Sequence, residues 1–137
     1  MRAGPRPAVG SALSSVPPSV LLVDDDANFR RALAIALRLD GLEVGEATTA
    51  AEARGALASR RFTAVLVDLM LQDGEAHALL ERLCLGSDSR LAIACSPHPE
   101  ALAAARDRIP GVAPLRKPFP SAELRRLIET GGPSGGR

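Results

Sequence analysis

Four places in this 137-residue chain carry side chains suited to phosphate and cation chemistry. Asp24, Asp25 and Asp26 follow the apolar run Val20-Leu21-Leu22-Val23. Asp68 follows a second run, Ala64-Val65-Leu66-Val67. Cys95 and Ser96 close a third, and Lys117-Pro118 lies just beyond a fourth, Val112-Ala113-Pro114-Leu115. Carboxylates crowded together resist joint ionisation. A hard divalent cation relieves the repulsion, and Mg²⁺ takes one or two carboxylates together with phosphate oxygens and water. Oxygen donors of this kind also suit Mn²⁺. An ammonium beside them stabilises charge on transferring phosphoryl oxygens. A carboxylate in such a place can act as nucleophile and form an acyl phosphate. The chemistry to expect is phosphoryl transfer to Asp68, provided the fold brings the four places together.

The elements that must position them are legible from periodicity. Short continuous apolar runs fit strands buried on both faces, as in a parallel sheet. Residues 20–23, 64–67, 91–95 and 112–115 read this way, and Leu42-Glu43-Val44 reads as an edge strand. Pro114 puts the last of them at a sheet edge as well. Helical spacing separates the runs. Phe29, Ala32, Leu33, Ala36 and Leu37 share one face, with Asp26 as N-cap and Gly41 as stop. Thr49-Ala50-Ala51-Glu52 is a capping box opening a helix that ends near Ser59. A third helix is expected over Glu75–Leu83, a fourth over 99–108, and a fifth capped by Ser121.

Strict alternation of strand and helix implies an α/β protein with helices on both faces of a parallel sheet. The architecture expected is flavodoxin-like: a doubly wound five-stranded sheet, order 2-1-3-4-5, with five helices. In such sheets ligands bind beyond the carboxyl ends of the strands at the switch point, here between strands one and three. That is where Asp24, Asp25 and Asp68 would meet.

Composition sets bounds on the alternatives. The length suits one domain. Aromatics are 2% of the chain, so the core is aliphatic. Net charge is +1 and runs of basic residues are no longer than pairs such as Arg60-Arg61 and Arg125-Arg126, so no nucleic-acid surface is expected. Cys84 and Cys95 lack metal spacing and fit a reducing, cytoplasmic setting. No apolar stretch is long enough to span a membrane, and the polar, Pro-flanked start does not read as a signal peptide. Residues 1–18 and 131–137 are rich in Pro, Gly and Ser and read as a disordered leader and tail, leaving 19–130 as the folded unit. His77 and His98 lack partners at metal spacing and read as surface residues.

The motifs VLLVDDD (20–26), VLVDLMLQDGE (65–75), Cys95-Ser96 and LRKPF (115–119) stand in order, each at a strand end. Together they make the chain similar to the receiver domains of two-component response regulators, over residues 19–130. The resemblance implies that Asp68 is the phospho-acceptor and that Asp25 binds Mg²⁺ directly, Asp24 through water and Met70 through its backbone carbonyl. It implies Ser96 as the switch hydroxyl, Lys117 as the phosphate's partner, and a cis Lys117–Pro118 bond. It further implies a histidine kinase or phosphotransfer protein as donor. Output would run by protein contact, with the fourth helix, fifth strand and fifth helix as the surface, open also to a homodimer. A stand-alone response regulator follows from this reading, a phospho-acceptor rather than a turnover enzyme.

Departures from the family pattern matter. The proline expected four residues after the acceptor is Gln72, and the glycine expected at the start of the third helix is Ala76; a shifted loop is expected from both. The aromatic switch position is Pro114, so a tyrosine rotamer switch is ruled out. Counting forward along strand four selects Ser96 as switch, and counting back from Lys117 selects Cys95. A hydroxyl is the better hydrogen-bond donor to phosphate, which favours Ser96. Met70 and His98 flank the route of a hydrolytic water, which predicts slow loss of phosphate. Two other functions stand beside this one. A pseudo-receiver would keep the fold and bind partners without phosphorylation. A haloacid-dehalogenase-like phosphatase would use Asp24 as nucleophile, but that family has a longer chain and would leave Asp68 unexplained.

Overall fold

A computed structural model describes residues 17–86 and 90–132. In chain order the elements are β1 (Ser19–Val23), α1 (Ala27–Leu39), β2 (Glu43–Ala47), α2 (Ala50–Ser59) and β3 (Ala64–Asp68). They continue with α3 (Ala76–Leu85), β4 (Leu91–Ser96), α4 (Pro99–Arg108), β5 (Ala113–Arg116) and α5 (Ser121–Thr130). The five strands form one sheet in the order β2-β1-β3-β4-β5, every pairing parallel. This is the flavodoxin-like arrangement expected from the alternation of elements.

Register decides where the acids go. Val23 pairs with Val67 across the central β1–β3 ladder, so Asp24 and Asp68 emerge together at the strand ends. Asp68 pairs with Cys95 on its other side, and Ser96 pairs with Arg116. Side chains alternate across each strand, so the sheet divides the core in two. Leu21, Val65, Val67 and Ala94 pack with Leu79 and Leu80 of α3 on one face. Leu22, Leu66, Ile93 and Cys95 pack with Leu37 and Leu124 on the other. The runs are apolar throughout because both faces are covered.

Helix ends account for most differences from expectation. Asp26 caps α1 through a bond from the Phe29 N–H to its Oδ1, 3.1 Å long. Thr49 caps α2. Ser121, expected as a cap, is instead the first residue of α5; Pro120 holds the N-cap position and no side chain caps that end. A proline supplies the extended conformation this position needs, whereas a hydroxyl cap is dispensable where the N-terminus meets water. Glu75 is the N-cap of α3 rather than its first residue, and the helix runs on to Leu85. β2 is longer than expected because pairing with β1 carries it to Ala47, whose carbonyl accepts from the Asp24 N–H at 3.0 Å. Pro114 lies in β5 at the sheet edge, as its missing N–H requires.

Most of the expected leader and tail, residues 1–16 and 133–137, lies outside the described residues. Of their inner ends, Pro18 accepts a bond from the Glu43 N–H, and Gly131 closes α5 with φ 79°, a left-handed conformation suited to glycine.

Candidate functional site

Asp24 and Asp68 are buried at the carboxyl edge of the sheet, 3% and 5% exposed. Each carboxylate is turned by a short local bond. Asp24 Oδ1 accepts the Asp26 N–H at 2.9 Å, and Asp68 Oδ1 accepts the Met70 N–H at 3.0 Å. Both remaining oxygens face Lys117. Its ammonium lies 2.8 Å from Asp24 Oδ2 and 3.6 Å from Asp68 Oδ2. The Lys117 N–H bonds the Ser96 carbonyl at 3.0 Å, which ties the residue to the end of β4, and the Lys117–Pro118 peptide is cis.

Electrostatics follow from this packing. Burial pushes the Asp68 carboxyl above its ordinary range, and the Asp24 charge adds to the effect, against the opposing pull of the Met70 N–H and Lys117. Burial alone would lower the Lys117 ammonium, but its bond to Asp24 and the surrounding negative groups outweigh that and raise it. The lysine is therefore charged, and Asp68 is a more basic carboxylate than a solvated aspartate.

Asp25 sits on the outer side of the pair, partly exposed, with Oδ2 accepting the Gln72 N–H at 2.8 Å. Asp24, Asp25 and Asp68 each offer a carboxylate oxygen within 4.8 Å of the others. Three carboxylates against one ammonium leave an excess of two negative charges when all are ionised. Hard oxygen donors with that excess fit a divalent cation such as Mg²⁺. Met70 is exposed at the start of the β3–α3 loop.

Ser96 and Cys95 part company in the fold. Cys95 is fully buried and packs in the apolar cluster with Leu22, Leu66 and Leu124, and burial raises its thiol far above the usual range. Ser96, equally buried, ends β4 outside that cluster, and its Oγ accepts the His98 N–H at 3.0 Å. His98 is exposed and is itself the N-cap of α4; His77 is half-buried on α3.

Several participants escape a reading of motifs. Arg30 is 5% exposed, bonding the Asp24 carbonyl at 2.8 Å and Glu46 at 2.9 Å. It holds the β1–α1 loop from behind. An arginine on the buried face of an amphipathic helix, in line with Leu33, Ala34 and Leu37, was its only signal in the sequence. Phe29 underlies Lys117, the ammonium 4.2 Å from the ring centroid, and meets Phe119 edge to face at 5.8 Å. Of the chain's three phenylalanines, one thus lies under the lysine and a second packs against the first. The Asp73 carboxylate accepts the Ala50 N–H at 2.9 Å and the Glu75 N–H at 3.0 Å, tying the β3–α3 loop to α2.

Comparison with known proteins places this arrangement. The sequence pattern of the response regulator receiver domain matches residues 20–129. A receiver domain protein from Methanospirillum hungatei is similar at 26% identity and a TM-score of 0.73, over 83% of this chain and 92% of that one. A sensor protein from a Polaromonas species is similar at 25% identity and a TM-score of 0.73, over 84% and 98%. A receiver domain from Methylobacillus flagellatus shares the fold at 21% identity and the same TM-score, over 84% and 98%. No curated protein matches the chain. Among the described residues, no helix is long and apolar enough to cross a membrane.

Proposed function

The chain belongs to the response regulator receiver domain family, and from that premise we propose that it accepts a single phosphoryl group on Asp68 in a Mg²⁺-dependent reaction. The donor is a histidine kinase or a phosphotransfer protein, and the output is protein contact. The observation that carries this reading is the convergence of Asp24, Asp68 and Lys117 at the switch point of the sheet, with Asp25 within ligand distance of both acids.

Asp24, Asp25 and Asp68, with the Met70 carbonyl, would hold Mg²⁺ or Mn²⁺, which when bound neutralises charge on the phosphoryl oxygens. Asp24 already bonds Asp26 and Lys117 through its two oxygens, which supports Asp25 as the direct ligand. In the transfer, an Asp68 carboxylate oxygen attacks phosphorus. The phosphorus–nitrogen bond of the donor phosphohistidine breaks, and its imidazole leaves with the electron pair and takes up a proton. Burial makes Asp68 more basic than an ordinary aspartate and so a better nucleophile. Lys117, already 3.6 Å from Asp68, then pairs with the new phosphoryl group. Ser96 donates its hydroxyl hydrogen to a phosphoryl oxygen. The chain acts as acceptor and not as a turnover enzyme.

Incubation with acetyl phosphate and Mg²⁺ tests this by intact mass. A gain of one phosphoryl group, absent in Asp68→Asn and without Mg²⁺, is expected. No adduct from any donor would favour the pseudo-receiver, a reading supported by Gln72 and Pro114 at positions where the family pattern differs. Turnover of p-nitrophenyl phosphate lost in Asp24→Asn but kept in Asp68→Asn would favour the phosphatase. The remaining assignments, a cytoplasmic location and a partner or homodimer surface on α4, β5 and α5, belong to the same reading. So does slow loss of phosphate, with the exposed Met70 and His98 flanking the water's route; a phospho-form lasting only seconds at neutral pH would rule that out.

A further inference from the structure

The β3–α3 loop, residues 69–75, is fixed over the acid cluster by hydrogen bonds along its length. At its start the Met70 N–H bonds Asp68. At its end Asp73 receives the N–H groups of Ala50 and Glu75, and Glu75 pairs with Arg54 of α2 at 3.1 Å. Between these anchors the Gln72 N–H points across 47 residues of sequence to Asp25 Oδ2, 2.8 Å away. The Gln72 side chain takes no part in that bond: the donor is the main chain. A proline at this position, expected from the family pattern, has no N–H to give.

We propose that the Gln72 main-chain N–H is a positioning group for Asp25, and that it sets the affinity of the acid site for a divalent cation. The inference rests on the reading of Asp25 as a ligand. Asp25 is the partly exposed member of the three acids, carried on the short turn between β1 and α1. A carboxylate so placed must give up rotational freedom to bind a cation, and a fixed donor on one oxygen removes that cost beforehand. Hydrogen bonds to ionised acceptors are the strong ones. Loss of an outer partner to a metal-ligating group typically weakens metal binding by about 10–100-fold. Since water competes for this bond, the lower end of that range applies.

The backbone origin of the donor makes the test selective. Gln72→Ala keeps the N–H and Gln72→Pro removes it. Mn²⁺ binding to the full chain, followed by the resonance signal of free Mn²⁺, and Mg²⁺ binding by calorimetry give affinities without any phosphoryl transfer. Gln72→Ala is expected within about twofold of the parent, and Gln72→Pro about tenfold weaker, with circular dichroism showing both folded. Equal affinity of the two folded variants overturns the positioning role while leaving the metal site standing. Absence of Mn²⁺ and Mg²⁺ binding in the parent chain overturns the metal reading and the positioning role with it. Should Gln72→Pro fail to fold, amide hydrogen exchange decides: the Gln72 N–H is expected to exchange about tenfold faster in Asp25→Ala than in the parent, and equal rates overturn the inference.

Discussion

Lys117 is bonded to Asp24 at 2.8 Å and stands 0.8 Å farther, at 3.6 Å, from Asp68. The ammonium thus locks the acid of the β1–α1 turn to the end of β5 while remaining beside Asp68. One cation serves two buried carboxylates, and the Phe29 ring covers it from below.

Removal of that cation leaves Asp24 and Asp68 facing each other. Lys117→Ala is expected to lower stability by about 2 kcal/mol near neutral pH, somewhat less than the cost of breaking a fully buried pair. The loss shrinks in acid, because the Asp68 carboxyl takes up a proton more readily than an ordinary aspartate. Urea unfolding of both proteins at pH 7 and pH 4 measures the gap. A gap that stays constant or widens in acid would contradict the shared-cation account.

Arg30 behaves as a structural support of the site. Arg30→Ala leaves the Asp24 carbonyl without its 2.8 Å donor and Glu46 without its buried partner. The expected cost is about 3 kcal/mol, read as a lower denaturant midpoint. Arg30→Lys should recover only part of it, because an ammonium lacks the fork that reaches both acceptors at once. Full recovery by lysine would show that charge alone matters.

Asp73 predicts an acid-sensitive tie between the loop and α2. Its carboxyl is held below the usual range by the Ala50 and Glu75 N–H groups. A lowered pKa means that the unfolded chain binds the proton more tightly, so the contribution is present above the unfolded pKa and lost as pH falls through the folded one. Asp73→Ala is expected to cost about 1 kcal/mol near neutral pH, the worth of a helix cap. The two proteins should converge as pH falls from the ordinary aspartate value of about 3.9 through the lowered folded one. Thermal unfolding from pH 7 downward checks it, and a difference that stays constant or grows as pH falls would contradict it.

The two thiols should differ in reactivity. Cys95 is fully buried beside Asp68 and its thiol is raised by burial; Cys84 is half-buried and less shielded. Reactivity follows thiolate and access. In the native chain at pH 8, iodoacetamide is expected to label Cys84 slowly and Cys95 not at all until the protein is unfolded. Labelling of Cys95 first would mean that the β4 end opens far more than its packing implies.

Much of this protein is written locally in its sequence. Four apolar runs gave strands buried on both faces because each side chain in them meets a covered sheet face. Asp24, Asp68, Ser96 and Lys117 were legible as strand-end residues for the same reason, and Asp26 and Thr49 as caps, since a cap bonds within three residues of itself. What periodicity reports stops at about one helical turn. The tertiary structure decided the rest: that Lys117 bonds Asp24 more closely than Asp68, 93 residues distant in the first case; that Gln72 donates to Asp25; that Asp73 caps a helix 23 residues upstream; and that Arg30 turns inward to Glu46. It also seated Cys95 in an apolar cluster and gave the Ser96 hydroxyl the His98 N–H, neither of which counting along the chain could show. These are contacts between segments that meet only once β1 and β3 lie side by side, and their geometry comes from strand register and loop path, which no local pattern of residue types encodes.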